Sequence, residues 1–151
     1  MPLPGFAATR HAAPGTTKGD LMSEQNKQVV REYYEQVLNG RDLDAVGDFF
    51  VDERIVEGVR GGCFRYFEAF PDLHIALDDL IAEGDRVFVR STMTGTHDGE
   101  YKGIPATGRH IAAESAEVFR IADGRFVGYW CLANVAGLMR QLTEDVVATT
   151  A

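Results

Sequence analysis

Glu114 and Glu117 stand in an otherwise apolar stretch, residues 111–121, whose composition predicts a β-strand. Their odd separation points them to opposite faces, so at most one can face an interior. A carboxylate in apolar surroundings holds its proton more tightly and can act as a base; a place at solvent or at an interface is the commoner case. His97 ends a second predicted strand, residues 86–96, where a glycine-rich loop begins. An imidazole there can carry a proton near neutral pH, although a lone loop histidine is more often structural or solvated. Asn134 closes the predicted strand 126–134 and shares a face with Trp130 and Leu132 by the period of two. Its amide does not titrate, but it can orient a carbonyl, stabilise negative charge on oxygen, or cap the helix that follows. Arg90, inside the 86–96 strand, is an ion-pair partner for such a glutamate or a clamp for an anion.

The elements that must position these groups change character along the chain. Val29, Val30, Tyr33, Tyr34, Val37 and Leu38 recur as one helical stripe, with Ser23 as a candidate N-cap and Asn39-Gly40 as a stop. A second short helix is predicted over 43–50. Residues 52–62 read as a polar, glycine-containing connection with room for one short strand, followed by a third helix over 64–70 that Pro71 ends. Beyond Pro71 the period becomes two. Leu73, Ile75 and Leu77 alternate with polar residues, the 86–96 strand follows, and 97–109 is loop. Strands 111–121 and 126–134 are joined through Asp123-Gly124, and residues 137–142 form a closing helix.

Helices first and antiparallel strands after them mean an α+β fold, with a curved antiparallel sheet packed on N-terminal helices and leaving a cone-shaped interior. Tyr33, Tyr34, Phe49, Phe64, Phe67 and Phe70 form helix stripes that are core first and pocket second. In a cone the two overlap, so Tyr33, Phe49 and Phe67 are candidates for contact with a small molecule, together with Trp130 and Leu132.

Bulk properties narrow the functional classes. A formal net charge of −8 without a basic run disfavours nucleic acid and anionic membrane surfaces. No apolar run approaches the roughly 20 residues a membrane span requires. Cys63 and Cys131 sit in apolar contexts with no CxxC pair, as expected of small hydrophobes in a reducing cytoplasm. No clustered metal-ligand set or phosphate-cradling loop is present in the sequence, so neither a metal nor an organic cofactor is expected. Residues 1–21, rich in proline and glycine, read as a disordered leader, 22–144 as the folded domain and 145–151 as a flexible tail.

The segment Gly95-Thr96-His97-Asp98-Gly99 through Gly103-Ile104-Pro105-Ala106-Thr107-Gly108-Arg109, with Arg90 ahead of it, resembles the GTHxGxxxGxPxTGR element of SnoaL-like polyketide and ester cyclases. Phe70-Pro71-Asp72-Leu73, Tyr129-Trp130 and Gly137-Leu138-Met139-Arg140-Gln141-Leu142 are similar to further elements of that family, over about residues 24–144. The resemblance implies an α+β barrel, commonly a homodimer, with a hydrophobic cavity, no cofactor and a polyketide-like substrate. In those cyclases an Asp four residues after the Trp removes a proton beside a carbonyl, and the enolate closes a ring. Here that position is Asn134, which cannot take a proton, so His97, Glu117 and Glu114 are the remaining candidates for that role. Cofactor-independent hydroxylation and binding without catalysis are the alternatives to ring closure.

Overall fold

The computed structural model describes residues 15–144. Helix α1 spans Lys18–Tyr33. Its cap is Thr17 rather than Ser23. Thr17 Oγ1 accepts the Asp20 N–H at 3.1 Å, and the Asp20 carboxylate accepts the Thr17 N–H at 2.9 Å, a reciprocal capping box that starts the helix earlier than the apolar stripe does. Residues 18–21, assigned above to the leader, form this first turn and are exposed, so they join the helix without joining the core. The leader upstream of residue 15 and the tail from 145 lie outside the described residues.

A π-helical turn, Tyr34–Asn39, continues α1 and turns Tyr34, Val37 and Leu38 inward. A 3₁₀ turn, Leu43–Ala45, leads into the short helix α2, Val46–Phe49. Helix α3 then runs unbroken over Glu53–Ala69. This corrects the expected connection over 52–62. Asp52 caps the helix by accepting the Arg54 N–H at 2.9 Å, and Val56, Ile55 and Val59 pack against the core. That burial offsets the poor helix propensity of Gly58, Gly61 and Gly62, about 1 kcal/mol each against alanine.

Four strands form one antiparallel meander in the order β1 (His74–Glu83), β2 (Arg86–Thr96), β3 (His110–Ala122), β4 (Arg125–Ala133). Register shifts between Leu77 and Asp79 and between Arg120 and Ile121 bend the sheet around the helices without closing it. Asp123 and Gly124 take φ of 50° and 72° in the last turn, as a two-residue hairpin of this hand requires. Helix α4, Val135–Thr143, folds back on β3, where the Gln141 side chain exchanges hydrogen bonds of 2.9 and 2.8 Å with the Ala112 backbone.

The core falls in two clusters. In the first, Tyr33 meets Phe49, Phe50 and Phe126 edge-on, with ring centroids 5.4–5.5 Å apart. The second gathers Phe70, Leu73, Tyr101, Ile111, Leu138 and Leu142 beneath the 97–109 loop and α4. Between them the interior is not filled.

Candidate functional site

The unfilled interior is a cavity of about 410 Å³ between α3 and the inward face of the sheet. That is within the range of small-molecule pockets, roughly 300–1,000 Å³. Helix α3 supplies Ile55, Gly58, Val59, Gly62, Cys63, Tyr66 and Phe67 to one wall, and Tyr33 and Leu38 close the interior behind them. The sheet supplies Ser91, Met93, Ala113, Ser115 and Glu117, then Tyr129, Cys131 and Ala133 from β4, with Asn134 and Leu138 at the start of α4.

Inward residues on β3 are the odd-numbered ones. Ile111, Ala113, Phe119 and Ile121 are buried, and Glu117 is buried among them. Its Oε2 accepts the Tyr129 hydroxyl at 3.3 Å. Burial pushes the proton affinity of Glu117 above the ordinary carboxylate range, partly opposed by the hydroxyls of Tyr34, Tyr129 and Ser115 turned toward it. The Ser115 and Ser91 hydroxyls lie 2.8 Å apart. The Tyr34 hydroxyl is buried beside this group and completes no hydrogen bond. The negative charge of Glu117 in turn raises the Tyr34, Tyr129 and Cys131 groups further than burial alone, and the Cys63 thiol is pushed up to about 11. The phenols stay protonated and can only donate to a carboxylate; the carboxyl is the group that can exchange a proton.

Glu117, Tyr33 and Phe67 therefore line the cavity, the last with the Arg41 guanidinium 4.8 Å over its ring. Phe49 belongs to the first core cluster and does not reach the cavity. Asn134 stands at the cavity rim, and its Oδ1 accepts the Gly137 N–H at 2.9 Å as the N-cap of α4. Glu114 is an outward-facing residue at the same rim; its carbonyl accepts the Asn134 N–H at 3.0 Å and its carboxylate lies 3.5 Å from Arg90.

Four further candidates, like Phe49, lie away from the cavity. Arg90 is on the outer face of the sheet, where Asp79 at 2.6 Å and Asp78 at 3.5 Å hold it with Glu114. Trp130 and Leu132 are 53% and 63% exposed on that outer face. The period of two is obeyed, but it turns Tyr129, Cys131 and Ala133 inward, and Asn134 reaches the rim only because β4 ends at Ala133. His97 is fully buried outside the cavity. Its Nδ1 accepts the Thr107 N–H at 3.2 Å, and its ring packs on Phe70 at 5.5 Å. The imidazole pins the 97–109 loop to the second core cluster.

Sequence reasoning did not single out Tyr129, Ser91, Ser115 or the cavity-facing residues of α3 other than Phe67. Alternation along 111–121 carried the signal: its odd positions are apolar except for Ser115 and Glu117, which picks Glu117 over Glu114 as the inward carboxylate. Among the described residues, no three His, Cys, Asp or Glu side chains converge to hold a metal ion, and no helix is long and apolar enough to cross a membrane.

Comparison with known proteins agrees with this architecture. Solved structures superpose over most of the chain: TsrD from Streptomyces laurentii has a TM-score of 0.70 at 29% identity, covering 80% of this chain and 96% of that one. IdmH from Streptomyces antibioticus, a candidate polyketide cyclase, gives 0.69 at 26% identity over 78% and 98%. AclR from Streptomyces galilaeus, a candidate hydroxylase, gives 0.70 at 27% identity over 82% and 85%. The aklanonic acid methyl ester cyclase DnrD of Streptomyces peucetius is 33% identical over 70 residues, 45% of this chain and about half (48%) of that relative. The sequence profile of SnoaL-like polyketide cyclases matches residues 28–142, and with the fold and the cavity this settles the assignment: the chain belongs to the SnoaL-like polyketide cyclase family.

Proposed function

We propose that the protein closes a ring in a hydrophobic, polyketide-like substrate held in the cavity, with Glu117 as the proton carrier. The observation that carries this reading is a buried carboxyl of raised proton affinity facing an apolar cavity and hydrogen-bonded to Tyr129. The carboxylate takes a proton from the carbon beside a substrate carbonyl. The enolate carbon attacks a second carbonyl carbon, a carbon–carbon bond forms, and the new alkoxide receives the proton back from Glu117. Nothing is oxidised or reduced, so the reaction as written requires no cofactor. The phenol of Tyr129 stabilises charge developing on the enolate oxygen, and the cavity holds the two carbonyl carbons within reach of each other. Asn134, which cannot replace Glu117 as a base, fixes the rim by capping α4.

The outer face of the sheet supports a homodimer. Ile81, Phe88, Val118 and Trp130 pair successively across all four strands as one apolar row, and Leu132 lies beside it. Arg90 with Asp78, Asp79 and Glu114 forms a self-compensated charge group on the same face. Such a row is self-complementary under a two-fold axis and fits a second copy of this chain.

Incubation with aklanonic acid methyl ester, the compound in the name of DnrD, followed by liquid chromatography and mass spectrometry, tests the reaction. A product of unchanged mass with one more ring is expected from wild type and not from Glu117→Gln. Gain of one oxygen would replace cyclisation with hydroxylation, in line with the likeness to AclR. Tight binding without any product would make the protein a carrier.

A further inference from the structure

We propose that Cys131 and Glu117 form a nucleophile–base pair that adds reversibly to α,β-unsaturated carbonyl compounds bound in the cavity. This activity rests on the reading above for the cavity as binding site and Glu117 as proton carrier, and ring closure makes no use of the thiol.

Cys131 and Glu117 are direct partners in the β3–β4 ladder. Both line the cavity, so they stand on one face of the sheet, where opposed residues of an antiparallel pair hold their Cβ atoms about 4.5–5.5 Å apart. A thiol and a carboxylate at that spacing are within reach of a shared proton. The carboxylate is held in turn by the Tyr129 hydroxyl at 3.3 Å, which completes the order of nucleophile, base and orienting group that an activated thiol requires. Tyr34 supplies a further donor. Its hydroxyl is buried, turned toward Glu117 and Ser91, and completes no hydrogen bond, so it can take up the charge that Glu117 carries when ionised. Cys131 is the exposed thiol of the pair that lines the cavity, and Cys63, on the facing helix, is half-buried.

The class of compound follows from charge. Burial and the Glu117 charge keep the Cys131 thiol protonated at neutral pH, so it attacks only where a base removes its proton. Ions formed between apolar walls are costly unless they are discharged at once. Conjugate addition does this. The Glu117 carboxylate takes the thiol proton while Cys131 Sγ bonds to the β-carbon. The carbon–carbon π bond breaks, and its electron pair moves onto the carbonyl oxygen. The enolate then takes the proton back from Glu117 at its α-carbon, leaving a neutral thioether and a free carboxylate. Nothing is oxidised or reduced, no group leaves, and the reverse path restores the thiol.

The test is labelling of the intact chain with benzylideneacetone, an apolar enone, followed by mass spectrometry and peptide mapping. Wild type should gain one reagent mass, on Cys131. Glu117→Gln, with its fold checked by far-UV circular dichroism, should label about 100-fold more slowly, the usual contribution of a general base. If Glu117 were only a neighbouring charge, its removal would ease ionisation of the thiol and labelling would speed up, so the sign of the change decides. Wild type alone gives a second readout, because the rate should level off once Glu117 is ionised. Tyr33, Tyr34, Cys63 and Tyr129 also face this carboxylate, and burial keeps each of them protonated there, so the plateau reports Glu117. A rate that instead climbs about tenfold per pH unit into the thiol range, near about 8.5, would overturn the inference, because free thiolate would then be the nucleophile. Label on Cys63 instead of Cys131, no label, or Glu117→Gln labelling as fast as wild type would overturn it too. Ring closure is scored separately. Cyclisation lost in Glu117→Gln with labelling unchanged keeps that reading and removes this one, and labelling that needs Glu117 without any ring product does the reverse.

Discussion

The hydroxyl of Tyr129 on β4 donates to the Glu117 carboxylate on β3 at 3.3 Å inside the cavity. The bond favours the charged carboxylate, whereas burial favours the neutral acid, and burial is the larger effect. If this pair carries the chemistry, Glu117→Gln should lower turnover about 100- to 10,000-fold while substrate affinity stays near wild type, because the amide keeps the shape and loses the proton. Tyr129→Phe is the finer variant. It removes a bond to the charged form, so the rising limb of the pH–rate profile should move to higher pH. A profile unmoved by Tyr129→Phe would detach Tyr129 from the reacting carboxyl.

The same carboxyl makes stability depend on pH. Folding raises its proton affinity, so the folded chain holds this proton more tightly than the unfolded chain does. The stabilisation is complete below the unfolded glutamate value of about 4.3 and is lost as pH rises through the folded value. Glu117→Gln is neutral throughout. It should match wild type in denaturant unfolding near about pH 4 and become the more stable protein toward about pH 8. A gap that narrows with rising pH would mean that the carboxyl is not buried in solution.

Asn134 caps α4 through the Gly137 N–H. Asn134→Asp keeps a capping oxygen and should leave Tm unchanged, whereas Asn134→Leu should cost about 1 kcal/mol. Aspartate at the rim also introduces a second carboxylate near the substrate. A change in product or stereochemistry with Asn134→Asp, measured beside Tm, would show that the residue touches the reacting atoms as well as the helix end.

Much of this was legible in the residues, for reasons that also explain the misses. Alternation located β2, β3 and β4 to within a residue because one face of each is buried. It could not say which face, so Trp130 and Leu132 were expected inside. A large aromatic on a strand reads as interior, and here an exposed apolar row on the outer face holds it. The glycines of α3 hid a helix that starts at Glu53, because propensity is local and the packing of Val56 and Val59 is not. His97 drew attention as a titratable group at the mouth of a loop, yet its role is set by Thr107 and Phe70, which the chain brings to it only on folding.

His97 provides a test of structure against chemistry. Its ring is fully buried, and Nδ1 satisfies a backbone donor of the loop. His97→Ala should lower stability by about 2–4 kcal/mol through lost packing and an orphaned Thr107 N–H. At temperatures where the variant remains folded, turnover should stay within a few-fold of wild type. A variant that is stable but inactive would return His97 to the list of proton carriers.

The apolar row on the outer face makes the last prediction. Phe88 pairs with Val118 and Val118 with Trp130, so a charge at position 130 would sit at the end of a continuous hydrophobic strip. Burying an unpaired carboxylate in an interface is costly, and under two-fold symmetry the cost arises twice. In the free chain the same side chain is more than half exposed, so Trp130→Glu should leave the far-UV spectrum unchanged. Sedimentation velocity should then find wild type as a dimer and Trp130→Glu as a folded monomer. A charged substitution on the helical side, Glu57→Lys on exposed α3, provides the control and should leave the dimer intact. Wild type that sediments as a monomer, or a dimer unaffected by Trp130→Glu, would take the outer face of the sheet out of the assembly.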